Sequence, residues 1–452
     1  MRNLILISVI ALNLISCKNS QNIEDIVVIG GGLMGSSTAW ELSKYQQNVL
    51  LLEQQDSIYT FGSSFGEARI SRSLGPKEDV FSFLQQTSVK ETEHLIDFLN
   101  KGELKELHSM QDIYTTSPVT YIYTQSQLND IENLLDGQLV KYEYASTKEE
   151  AEEKFEMKIS DTTIVIREYK QYTGTLNPKV LIKKLHQGIK KSGNRVQYNQ
   201  KVTDLKKEDG IYKITISDTK TGINKTILSK KIVAAAGPYN GTLVKDIAPY
   251  FSSLINPKRL FLSFLKIDSG KYDELTLEEK NRIRESYPVA YLNSEIFYSM
   301  IEKFDSDQRP LLKVGGHFLR TEIKDLDEVW EMQLTEQEIQ WSKENTADYL
   351  AKLNLPIKSS DLEFANGYSC IYSLTESEIP YVSHALKNGT DIDSSFLLVG
   401  GMSGIGAKGS LAYGLIAADL LIGNKNESFM YQKAKSALGS ERLIKDIQSI
   451  DK

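Results

Sequence analysis

DIVVIGGGLMGSSTAWELSKYQQNVLLLE, residues 25–53, is the stretch on which the architecture turns. Asp25-Ile-Val-Val-Ile29 is a β-branched run of the buried-strand type. Gly30, Gly32 and Gly35 follow at once in the spacing G-x-G-x-x-G, residues 36–45 have helical character, and Asn48-Val-Leu-Leu-Leu52 forms a second strand ending on Glu53. The first glycine permits a tight turn, the second lets backbone approach a pyrophosphate, and the third lets the helix pack closely on the strand. An acid at the end of the second strand is placed for ribose hydroxyls, which assigns Glu53. A glycine pattern alone is weak, but a strand before it, a helix after it and Glu53 at the right distance make a dinucleotide-binding βαβ unit. The motif leaves FAD and NAD both open.

Working outward, residues 194–198 and 211–216 read as strands, and Lys231-Ile-Val-Ala-Ala-Ala-Gly237 as a buried strand running into a glycine turn. Ser395-Phe-Leu-Leu-Val-Gly-Gly401 is another buried strand, followed by a glycine-rich turn and a helix over about 409–421. Two stretches of different character interrupt these pieces. Residues 90–167 and 246–363 alternate strand-like runs, such as 258–265, 295–298 and 310–314, with polar amphipathic helices such as 336–353. The pattern predicts an α/β fold. A discontinuous Rossmann-type domain would take residues 25–89, 168–245 and 364–440, and a second α+β domain on an antiparallel sheet would take 90–167 and 246–363.

The 452 residues suffice for two or three domains, and 40% apolar with 25% charged residues fits a folded globular body. A net charge of -7 argues against a general nucleic-acid binder, which needs a basic field. Two cysteines, Cys17 and Cys370, exclude a disulfide framework. No grouping of His, Cys, Asp and Glu has metal-ligand spacing. The start, MRNLILISVIALNLISCKNS, joins a positive residue to an apolar run too short to span a bilayer, then Leu14-Ile-Ser-Cys17. That tetrapeptide looks like a bacterial lipobox. It predicts a signal peptide over residues 1–17 ending at a lipidated Cys17, a tether over 18–24, and a chain anchored in the cell envelope. A plain secretory signal or an uncleaved anchor is the alternative.

Three separated motifs carry a resemblance. They are Gly62-Ser-Ser-Phe-Gly-Glu-Ala-Arg69-Ile-Ser-Arg72, Gly367-Tyr-Ser-Cys370-Ile-Tyr372 and Gly401-Met-Ser-Gly-Ile-Gly-Ala-Lys408. In this order they resemble the monomeric sarcosine oxidase and N-methyltryptophan oxidase branch of the FAD-dependent D-amino-acid-oxidase-like superfamily, over residues 26–423. The resemblance implies FAD, bonded covalently through Cys370. It implies that Arg72 and Lys408 clamp a substrate carboxylate, a task suited to the planar guanidinium fork. Arg69 would sit over the flavin face, Lys313 would face the flavin and activate oxygen, and His317 and Tyr372 would line the substrate pocket. Gly237 and Gly404 fall to the cofactor, and Lys408 with the 401–408 turn would stabilise negative charge on the reduced ring.

The implied reaction is oxidation of a secondary, N-methylated amino acid by O2, giving an imine and H2O2. A membrane-tethered dehydrogenase passing electrons to a quinone, and a silent FAD-binding scaffold, are the alternatives. Met402, Ile405, Ala407, Phe65 and Ala68 depart from residues usual in relatives, and they bear on which substrate fits.

Overall fold

The structure, a computed structural model, describes residues 22–450 apart from 46, 58–60, 75–77, 103–106, 128–141, 170 and 292–294. Cys17 therefore lies outside the described residues. The opening segment forms the strand Ile23–Ile29, the helix Leu33–Ser43 and the strand Val49–Leu52. The first strand begins inside the expected tether, because Ile23 and Glu24 already pair with Leu228 and Ser229. The helix begins three residues earlier than expected, with Gly32 as its N-cap.

Ile23–Ile29 lies parallel between Val49–Leu52 and Asn224–Ala234, Arg195–Gln197 extends the sheet beyond the former, and Asp391–Gly400 extends it beyond the latter. Val28, Leu51, Val233 and Leu397 are fully excluded from solvent on one face, and Val27, Leu50, Ile232 and Leu398 on the other. Parallel strands covered on both faces require such continuous apolar runs. The helices Leu33–Ser43, Glu78–Leu99, Pro178–Lys191 and Ser410–Ile422 cover the first face through Trp40, Leu95, Leu185 and Ile416. The hairpin Gln200–Glu208 and Ile211–Asp218 covers the second, together with Phe251 and Leu443.

A nine-stranded sheet makes the second layer and is antiparallel except where Val289–Tyr291 meets Val119–Thr124. Its longest pairing joins Asn256–Ile267 to Leu362–Leu374, and Pro310–Gly315 then links Asn256–Ile267 to Phe297–Phe304. The helix Glu336–Lys352 starts at a Thr335–Glu338 capping box and buries Trp341, Tyr349 and Leu350 against this sheet.

Besides the boundaries at 24/25, 167/168 and 440, which touch the ends of Ile23–Ile29, Thr163–Glu168 and Ser440–Ile450, two of the expected boundaries fall inside elements. Residue 364 lies within Leu362–Leu374, so Cys370 and Tyr372 stand on the second sheet and not in the nucleotide-binding part. Residue 90 lies within the helix Glu78–Leu99, whose Leu95, Ile96 and Leu99 join the first core. Long-range strand pairing decided the one and a single unbroken amphipathic helix the other; neither shows in a local pattern.

All four parallel strands that matter here end on one edge of the first sheet. Gly30, Glu53, Ala235 and Gly401 follow their last residues directly. Asn240 ties two of those ends together: its Oδ1 accepts from the Ala236 N–H at 2.7 Å, and its Nδ2 donates to the Val399 carbonyl at 2.9 Å. In open α/β sheets this carboxyl edge is where ligands bind. No helix among the described residues is long and apolar enough to cross a membrane.

Candidate active site

The glycine turn has no room for side chains. Gly30 adopts φ +103°, and a Cβ there would fall 2.5 Å from the Ala235 carbonyl oxygen. At Gly35 a Cβ would come within 1.8 Å of the Gly30 oxygen, so the absence of that atom sets how closely helix and strand approach. No side chain caps the helix at Gly32, and the Leu33 N–H donates to Ser64 Oγ at 3.2 Å. The amide groups and the dipole at such a terminus form an anion site.

Glu53 is buried beside this turn, its Oε2 accepting from the Gly31 N–H at 2.6 Å and its Oε1 from the Gln55 N–H at 2.8 Å. Burial raises the Glu53 pKa, and the N–H groups of Gln55 and Gly31 pull it back. Gly31, an unspecified position in the motif, proves as constrained as its neighbours, since its Cβ would stand 2.8 Å from that of Glu53. Behind the turn, Ser36 Oγ bonds the Gly31 carbonyl at 2.7 Å and His186 Nε2 at 2.8 Å. Burial lowers the His186 pKa to about 4, which keeps the ring neutral in a structural role.

A cavity of about 840 Å³ runs from this turn to the second sheet. Gly30, Gly32, Glu53 and Gly237 line one end. Arg69, Arg72, Lys313 and His317 line it further along, as do Cys370, Tyr372, Gly404 and Lys408. Gly35 stands behind the wall and acts through packing.

Lys313 is fully buried on Pro310–Gly315, its Nζ 2.9 Å from Glu302 Oε2 and 3.1 Å from the Ala68 carbonyl. Desolvation, and then the nearby Arg69 charge, lower its pKa to about 7 against the pull of Glu302. Arg69 donates to the carbonyls of Ala68 (2.8 Å), Ser63 (3.3 Å) and Phe65. Its guanidinium is thus committed to shaping the 62–69 loop. Gly66, at φ +114°, lets that loop pass, since a Cβ would stand 2.8 Å from Lys313 Nζ and 2.9 Å from Arg69 Nη1.

The Cys370 thiol packs with Leu260, Leu262, Phe264 and Leu311. Burial pushes its pKa up to about 11, with Arg69 and Lys313 opposing. The Tyr372 hydroxyl lies 3.2 Å from that of Tyr298, and its ring lies against Gly404, where a Cβ would be 2.5 Å away. His317 Nε2 meets an Nη2 donor of Arg320, whose guanidinium stands 5.8 Å from the Tyr372 ring and pairs with Glu378 at 3.4 Å. Because arginine only donates, Nε2 is the acceptor in this contact.

Arg72 differs from Arg69 in what remains unmet. Its guanidinium stacks 5.2 Å over the Tyr121 ring, and the Tyr121 hydroxyl donates to the buried Glu168 at 2.6 Å. Glu168 in turn accepts the N–H groups of Ser73 and Leu74 at 2.8 and 3.0 Å, which fixes the turn carrying Arg72. Yet Arg72 Nη1 is buried without a hydrogen-bond partner among the described residues. A buried charged donor left unmet is costly, and the residue that carries it lines the cavity. Lys408 arrives from the other side on the turn Ala407–Gly409, which packs against Arg69–Ser71.

Glu302, Tyr298, Arg320, Tyr121 and Glu168 complete this end and were not foreseen. They lie outside the three motifs; strand register brings four of them to it, and Arg320 comes from the loop just before Thr321–Glu322. No group of His, Cys, Asp and Glu among the described residues could hold a metal ion.

The cradle without Cβ atoms, the helix terminus whose own N-cap residue is a glycine, the acid beside it and a cavity that continues to a cation-rich end all fit FAD. The chain belongs to the DAO family of FAD dependent oxidoreductases, whose pattern matches residues 25–420. A probable sarcosine oxidase of Arabidopsis thaliana is 24% identical over 416 residues, which is 88% of this chain and 87% of that protein. Among solved structures, the open form of NikD, an unusual amino acid oxidase essential for nikkomycin biosynthesis, shares the fold with a TM-score of 0.67 at 15% identity. That match covers 92% of this chain and 96% of NikD. The L-proline dehydrogenase from P. horikoshii matches with a TM-score of 0.66 at 16% identity, over 92% of this chain and 98% of the other.

The cradle yields a direct expectation. Gly35→Ala forces a Cβ into the Gly30 oxygen, so the helix must shift, at a stability cost of about 1–3 kcal/mol. The purified variant is expected to carry less flavin per chain than the wild type and to melt earlier; full flavin content would show that the approach is not needed for binding.

Proposed function

We propose that this oxidoreductase oxidises a secondary, N-methylated amino acid, with O2 as the final acceptor. The observation that carries the reading is Arg72, which lines the cavity with one guanidinium nitrogen, Nη1, left without a hydrogen-bond partner among the described residues. A substrate carboxylate is its natural partner, and Lys408 lines the same cavity to receive a second oxygen. The names of the similar sarcosine oxidase and of NikD, an amino acid oxidase, support an amino-acid substrate.

When bound, FAD supplies the acceptor for the electron pair of the C–H bond beside the amine nitrogen, and the oxidised imine then hydrolyses. The protein's own groups do the rest. Tyr121 and Glu168 hold Arg72 so that the carboxylate binds in one orientation. His317 and the paired hydroxyls of Tyr298 and Tyr372 add polar contacts to the pocket without a carboxylate, which suits an amine bound in its neutral form. As an ammonium, Lys313 is the cation beside which superoxide, an anion, is cheapest to form, and this favours O2 over another acceptor.

Cys370 is the residue that would hold the flavin covalently. Its place among the cavity residues beside Arg69 and Lys313 supports this, since those two charges oppose the rise that burial imposes on the thiol. For Cys17, the Leu14-Ile-Ser-Cys17 sequence supports a lipid anchor in a bacterial envelope.

Three measurements test these assignments. Arg72→Ala is expected to weaken binding of an N-methyl amino acid by about 2–4 kcal/mol, the cost of breaking one partner of a desolvated charged pair. The decarboxylated amine is expected to be a poor substrate and to suffer little from the change; equal losses on both would assign Arg72 to the fold or the cofactor instead. For the covalent link, acid precipitation of the wild type is expected to leave the yellow colour in the pellet, and Cys370→Ala to release it. Colour freed from the wild type would remove the thioether. For the anchor, the mature chain is expected to partition into detergent and Cys17→Ser to abolish this, whereas an intact water-soluble chain beginning at Met1 would contradict lipidation.

A further inference from the structure

The charged end of the cavity gathers two cations around one carbonyl. Lys313 Nζ and Arg69 Nη1 lie 3.1 and 2.8 Å from the Ala68 oxygen. Only one carboxylate among the described residues contacts Lys313, and it is Glu302, whose side chain is 6% exposed. Its Oε2 stands 2.9 Å from Nζ while its Oε1 accepts from the Glu67 N–H at 2.6 Å. The backbone delivers it unusually. Ile301 pairs with Leu312 and Lys303 with Leu311, so Glu302 is the extra residue of a β-bulge. Bulges re-aim side chains, and this one places a carboxylate diagonally from Lys313, whose direct partner in register is Met300.

We propose that Glu302 is a positioning residue that keeps Lys313 in place as an ammonium, an inference that rests on Lys313 serving the reaction with oxygen. The other titratable groups facing Lys313 do not supply this charge. Burial holds the Cys370 thiol at about 11 and the Tyr368 phenol at about 12, raises Tyr372, and puts Tyr298 well above the ordinary phenol range, so all four are neutral near pH 7. Arg69 adds a second positive charge that disfavours the ammonium. The Glu67 carboxylate turns instead towards Lys303, at 3.9 Å. Lys313 thus titrates near pH 7 with Glu302 present, its ammonium held below that pH and lost above it. Without the carboxylate the ammonium window retreats to lower pH.

Glu302→Gln isolates the charge. The amide oxygen still accepts from Glu67, which preserves the loop. Its N–H donors now face Lys313, and only the neutral amine has a lone pair to accept one. The test is a pH titration of the holoenzyme labelled at the lysine ε-carbon, followed by NMR, with the Lys313 signal assigned by its absence in Lys313→Met. Glu302→Gln is expected to lower the Lys313 pKa by about one unit or more, a tenfold loss of proton affinity. Glu302→Asp keeps the negative charge and is expected to stay near the wild type. The pH at which reoxidation by O2 slows is expected to move with the NMR titration.

An unchanged Lys313 titration in Glu302→Gln overturns the proposal, as does an equal shift in the Asp and Gln variants, which marks a merely structural role. If the titration moves and the oxygen profile does not, Glu302 sets the charge as proposed and it is the oxygen role of Lys313 that falls.

Discussion

The contact between Gly35 and the Gly30 carbonyl is the constraint on which the rest of the structure depends. It leaves no space for even a methyl group, so the helix Leu33–Ser43 lies against the strand Ile23–Ile29 at the closest approach two backbones allow. That approach aims the helix terminus at the carboxyl edge of the sheet, where Glu53 and Asn240 fix the neighbouring strand ends. The open end of the helix is then a fixed partial positive charge at the head of the cavity. Everything beyond it is arranged along the line this terminus sets.

At the other end the physics changes from shape to charge. Three basic side chains, Arg69, Arg72 and Lys313, meet in a region largely shielded from water, and each is handled differently. Arg69 satisfies itself on backbone carbonyls, Lys313 takes the bulged Glu302, and Arg72 rests on an aromatic ring with one donor unmet. Buried cations demand such compensation because desolvation outweighs any single hydrogen bond. The differences separate them: Arg69 and Lys313 are compensated within the protein, and Arg72 keeps one donor without a partner among the described residues.

How much of this was legible in the sequence follows from the range of the interactions. The βαβ unit was readable because its cause is local, with glycines, β-branched runs and an acid all within residues 25–53. The mixed architecture and the second sheet followed from changes of period along the chain. The edge at residue 364 did not, because the strand Leu362–Leu374 takes its identity from Asn256–Ile267, about a hundred residues away. The same reason hid Glu302, Tyr121 and Glu168. Each is an ordinary residue in an ordinary strand, made special by register, by a bulge or by a ring seen only after folding. Arg69 and Arg72 were legible as a pair, but only coordinates tell the satisfied guanidinium from the unsatisfied one.

The cavity takes its phosphate-facing wall from the parallel sheet and its thiol-bearing wall from the antiparallel one. A molecule spanning both is therefore a tie-bar between two cores that otherwise meet through loops and one another's edges. Its binding energy adds to the cooperativity of unfolding, because neither half can open while the other grips it. Held reversibly, such a tie-bar stabilises in proportion to the logarithm of its concentration. Held by a covalent bond it becomes part of the chain's own connectivity, and the dilution that empties most cofactor sites would no longer loosen the protein.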